Sequence, residues 1–87
     1  MKPFRWSPHA LTDREIPRVE AEQALSSPEV VVPARPNRQF FMHRYFDARF
    51  KQEMLVRALV EEAPQERVVI TVYITSKVDK SMKKGRT

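Results

Sequence analysis

His9, Arg57 and Tyr73 are the residues of this chain whose types suit metal-free phosphodiester chemistry. An arginine can hold a phosphate and its developing negative charge, and a histidine or tyrosine can move the protons. His9 follows Ser7 and Pro8, an N-cap residue and a proline suited to a first helical turn. The positive end of such a helix favours neutral imidazole, which can accept a proton, whereas Asp13 one turn later favours the cation. Local packing or capping is the other role open to His9. Arg14, Arg38, His43, Arg44, Lys77 and Lys80 are the candidate nucleic-acid contacts around this group. Other chemistries find little to work with. Gly85 is the only glycine, so a phosphate-cradling loop of the Walker or Rossmann kind is excluded. Two histidines and no cysteine fall short of the ligands a metal site needs, and no cofactor is expected. No serine stands in the strand–turn–helix context of a nucleophile elbow.

The balance of charge points the same way. Sixteen Lys and Arg against eleven Asp and Glu give the 87-residue chain a formal net charge of +5, which attracts an acidic partner such as RNA, DNA or an acidic protein. The stretch from Lys77 to Thr87 holds five basic residues and one acidic, while Glu15, Glu20, Glu22 and Glu29 gather around a predicted helix. That basic stretch reads either as a binding tail or as a solvated terminus. No apolar run reaches the roughly 18 residues of a membrane span, and the start MKPFRWSPHALTDRE has no apolar signal core. A cytoplasmic protein with no membrane partner is expected.

These side chains have to be positioned by a small α+β domain, residues 1–76, followed by the basic C-terminal tail 77–87. Two short N-terminal helices are expected. One opens at Ser7-Pro8, and one starts near Pro17, with Ala21, Ala24 and Leu25 on one face, and stops before Pro28. Val30 to Val32, bounded by prolines, suits an edge strand or an extended connector. Arg38 to Phe46, Glu53 to Glu61 and Arg67 to Thr75 read as strands joined by hairpin-sized connectors, and so as an antiparallel meander of three to four strands.

Alternation along the strands assigns their faces. Met54, Val56, Ala58 and Val60 match Val68, Ile70, Val72 and Ile74 as a core face if Val60 pairs with Val68. That register sets Arg57 opposite Thr71 and diagonal to Tyr73, on a polar face with Thr75 that is open to a ligand or simply solvated. In the aromatic strand, Phe40, Met42, Arg44 and Phe46 form one set, and Phe41, His43 and Tyr45 the other. Either set can be the buried one.

Three short motifs carry a resemblance: Ser7-Pro8-His9-Ala10, Arg14-Glu15-Ile16, and Val69 to Tyr73 followed by Thr75-Ser76-Lys77. In their order and spacing the chain resembles uncharacterised domains of the RelE/ParE-like toxin superfamily, and its Arg5-Trp6 start is similar to BrnT-type toxins. The resemblance implies a RelE-like fold, two helices on a meander, with RNA or the ribosome as target and a small acidic antitoxin as partner. It further implies a toxin-like, metal-independent RNA endonuclease or an RNA-binding translation inhibitor, with Arg57 as phosphate binder and Tyr73 as proton-transfer group. His9 and Arg14 match the family motif itself. The full set of RelE catalytic residues is not recognisable in this sequence. A non-catalytic module that binds protein or nucleic acid is the alternative.

Overall fold

The structure, a computed structural model, describes residues 3–8, 10 and 16–78. Within them one helix lies on a five-stranded mixed sheet. The elements run β1 (Phe4–Trp6), α1 (Arg18–Ser26), β2 (Val30–Arg35), β3 (Arg38–Asp47), β4 (Gln52–Glu62) and β5 (Arg67–Thr75), and the sheet order is β1-β5-β4-β3-β2. The last four strands form the expected antiparallel meander, and Val30 to Arg35 is an edge strand.

The expectation of two N-terminal helices is corrected: the described residues contain one. Phe4 to Trp6 instead runs parallel to β5, with Phe4 beside Arg67 and Trp6 beside Val69. Ser7 ends this strand by donating its backbone N–H to the Val69 carbonyl at 3.0 Å and its hydroxyl to the Ile70 carbonyl at 2.9 Å. Its Oγ also accepts the Ala10 N–H at 3.2 Å, the contact a capping serine makes. The remainder of the helix expected there, including His9 and Arg14, lies outside the described residues, as does Lys80.

Helix α1 keeps its expected extent. Pro17 precedes it, and the Ala21 N–H donates to the Pro17 carbonyl at 3.0 Å. Ala21, Ala24 and Leu25 are its buried residues, packed on Phe41, Val56, Ala58, Val60, Val69 and Val72, with Phe4, Trp6, Ile16, Tyr45 and Ile74 around them. Two alanines on the helix and Ala58 on β4 let the helix backbone approach the sheet closely.

The β4–β5 register differs from the expected one twice: Val60 pairs with Val69 instead of Val68, and a bulge follows. Leu59 pairs with Thr71 but Val60 pairs with Val69, so Ile70 is an extra residue in β5. A bulge reverses the alternation of the strand that carries it. Val72, Ile74 and Val69 therefore face the helix, rather than a continuous set that includes Val68 and Ile70. The two one-residue shifts together place Arg57 directly opposite Tyr73, not opposite Thr71.

The face expected to be open is a second core. Phe40, Met42, Leu55 and Val78 are buried there together, flanked by Val30, Val32, Ala34, Leu59 and Tyr73. Both sets of the aromatic strand are thus used, Phe41 and Tyr45 under the helix and Phe40 and Met42 on the reverse side. Val78, within the stretch expected to be a tail, is 8% exposed and packs on this second face.

Candidate functional site

Arg57 and Tyr73 come together in the middle of that second core. Adjacent positions on β4 and β5 bring them side by side, and an Arg57 guanidinium nitrogen donates to the Tyr73 hydroxyl. The guanidinium carbon sits 4.1 Å from the centre of the Phe40 ring and 5.5 Å from that of Tyr73. Phe40 and Tyr73 meet edge to face, at 6.4 Å and 88°. A guanidinium is weakly hydrated and planar, so aromatic faces can take over part of its solvation. Arg57 is only 3% exposed. It reads as a polar link built into a core, aligned by its strand neighbours, and a phosphate has no direct path to it in this arrangement.

The other candidates are dispersed. His43 faces the helix, its Nε2 3.1 Å from the Glu20 carboxylate, and so ties α1 to β3 on the opposite side of the sheet from Arg57. Arg44 pairs with Glu29, which holds the Glu29 carboxyl below its ordinary range, and the Arg44 N–H donates to the same carboxylate at 3.3 Å. Arg38 approaches Glu61 at 3.9 Å near the β2–β3 turn. Lys77 is exposed just past β5, its N–H donating to the Thr75 hydroxyl at 3.1 Å. His43 and the Arg57–Tyr73 pair thus stand on opposite faces of the sheet. Among the described residues no group of three or more His, Asp or Glu could hold a metal ion, and no helix is long and apolar enough to cross a membrane.

The β3–β4 hairpin carries a constellation that the reading by residue type overlooked. Asp47 pairs with Gln52, leaving a four-residue loop in which Lys51 takes a left-handed backbone, φ 53°. The Asp47 carboxylate is buried and accepts four bonds. Three come from Arg49: its backbone N–H at 2.9 Å, Nε at 3.1 Å and Nη2 at 2.8 Å. The fourth comes from the Tyr45 hydroxyl at 2.7 Å. A carboxylate two residues before an arginine at a turn is the local signal for such a fork.

Arg49 holds the Asp47 carboxyl well below its usual range, and Asp47 in turn raises Arg49. Burial, with the Asp47 hydrogen bond behind it, pushes the Tyr45 phenol up to about 12. The signs follow by linkage. A depressed carboxyl stabilises the fold above the unfolded value near pH 4, and that contribution is lost as pH falls toward the lower folded value. A raised phenol stabilises below about pH 10, and its contribution is lost as pH rises toward 12. Asp47→Asn is therefore expected to flatten the acid limb of a stability–pH curve, and Tyr45→Phe the alkaline limb. Urea titrations across pH 2–12 check both, and limbs parallel to the wild type would show that the fork does not form in solution.

The same hairpin exposes two aromatic rings, Phe46 at 69% and Phe50 at 48%, with the Arg49 guanidinium carbon 5.3 Å from the centre of the Phe50 ring. Comparison of the chain with protein-family models, with curated proteins and with solved structures finds no match.

Proposed function

We propose that this protein is a non-catalytic RNA-binding module of the cytoplasm. The observation that carries this reading is the burial of Arg57, clasped between Phe40 and Tyr73 in a packed core. The pair best suited to phosphodiester chemistry is engaged in structure, whereas the net charge of +5 still draws the chain to a polyanion. Exposed basic side chains contacting phosphates release counterions, so affinity for single-stranded RNA should fall with salt at a log–log slope of about −0.7 per phosphate contacted. Fluorescence anisotropy over a range of KCl concentrations measures it. A slope indistinguishable from zero would remove the polyanion from the reading.

One observation favours a second reading. The direct Arg57–Tyr73 contact is what a toxin-like endoribonuclease or translation inhibitor of the RelE/ParE-like kind, restrained by a small acidic antitoxin, would draw upon. That activity requires the second face to open. Growth arrest and transcript cleavage on induction in a bacterial host would support it.

A further inference from the structure

Resting on the RNA-binding reading, we propose that the tip of the β3–β4 hairpin is the contact surface for unpaired bases of single-stranded RNA, which stack on Phe46 and Phe50. Among the described residues the exposed large apolar side chains are Val19, Val31, Phe46 and Phe50, and the two aromatic ones share this one hairpin. Phenylalanines this exposed at the end of a hairpin gain less from burial than core rings do, and each leaves planar π-surface in water. The stretch Phe46-Asp47-Ala48-Arg49-Phe50-Lys51-Gln52 has no aliphatic side chain larger than alanine. An apolar protein anchor or a lipid-inserting tip would want such filling. Exposed rings, one of them beside a guanidinium, are instead surfaces on which splayed bases stack.

The platform is preorganised. Asp47 takes up Arg49 through three bonds, so the guanidinium is held near Phe50 before any ligand arrives. Because the Asp47 charge is 3% exposed and matched by Arg49, it adds little repulsion toward phosphate. Arg44, paired with Glu29, stands two residues before Phe46 on the same face of β3, and Lys51 follows Phe50 in the loop. Glu53, directly across from Phe46, is the one exposed acidic residue of the hairpin and discourages a backbone path over β4. Bases in a duplex keep their faces stacked on one another and cannot use such a surface.

The test is anisotropy with a labelled single-stranded uridine homopolymer, the corresponding RNA duplex, and phosphatidylserine vesicles. Phe46→Ala with Phe50→Ala should weaken single-strand binding at least about thirtyfold, since stacking is lost at two rings. Phe46→Tyr with Phe50→Tyr should retain it, and the duplex should bind at least about tenfold more weakly than the strand. Amide shift changes on adding the strand to the wild type should centre on residues 45–51, a readout independent of how well the variants fold. Wild-type affinity in the alanine pair, equal binding of duplex and strand, or shifts centred elsewhere would overturn the hairpin site while leaving RNA binding in place. No wild-type binding to RNA would overturn both, as would ring-dependent capture by vesicles alone.

Discussion

Arg57→Ala is expected to destabilise the fold by about 2–5 kcal/mol, the range for truncating a large buried side chain. The guanidinium fills the space between Phe40 and Tyr73, so its removal leaves a cavity and strands the Tyr73 hydroxyl without this donor. A chain of this size has roughly 4–13 kcal/mol of stability to lose, so the drop in thermal midpoint should be on the order of 10–30 °C. Arg57→Met separates volume from charge. Replacing a buried ionic or polar contact with an apolar side chain of similar length is often neutral or stabilising, so this variant should melt near the wild type. Thermal melts of the two variants decide the matter. Wild-type stability in Arg57→Ala would mean that the guanidinium lies free on an open face.

The second large effect concerns the two faces of the sheet. Leu55 and Val56 are neighbours on β4, both fully buried, with Leu55 in the Phe40–Met42–Val78 core and Val56 beneath the helix. Leu55→Asp and Val56→Asp should both abolish cooperative unfolding at neutral pH. Each replaces packed apolar contacts with a carboxylate cut off from water, at an expected cost above about 4 kcal/mol. Chemical denaturation followed by circular dichroism measures both. A one-sided sheet would tolerate the aspartate at position 55, and a cooperative, near-wild-type transition in Leu55→Asp would contradict the second core.

Much of this architecture was legible in the chain because local patterns and tertiary packing agree. The β-branched run of β5, the aromatic alternation of β3 and the Ala21–Ala24–Leu25 stripe of α1 each specify an element that the structure contains. What escaped depends on contacts distant in sequence. Three residues, Phe4 to Trp6, are too few to declare a strand, and their partner lies some sixty positions away in β5. The bulge at Ile70 leaves no mark in a stretch of uniformly strand-forming residues, yet together with a one-residue shift at the β4–β5 turn it moves Arg57 from Thr71 to Tyr73.

The setting of Arg57 is hidden from the sequence for a related reason. An arginine in an alternating strand looks like a solvent-facing position, since only its polarity is visible locally. The rings that accept Arg57 come from β3 and β5 and are apparent only once the register is known. The hairpin rings were missed in the opposite sense: Phe46 was grouped by alternation with Phe40 and Met42, which are buried, while Phe46 itself lies beyond the core and is 69% exposed.

The most direct test of the account is to mix wild type and Arg57→Met with labelled single-stranded RNA and to follow anisotropy and strand cleavage in the same samples. Salt-sensitive binding by both proteins at similar affinity is expected, with the RNA intact throughout. Cleavage by the wild type that is lost in a stably folded Arg57→Met would contradict it, because Arg57 would then be acting on phosphate and not as part of a core.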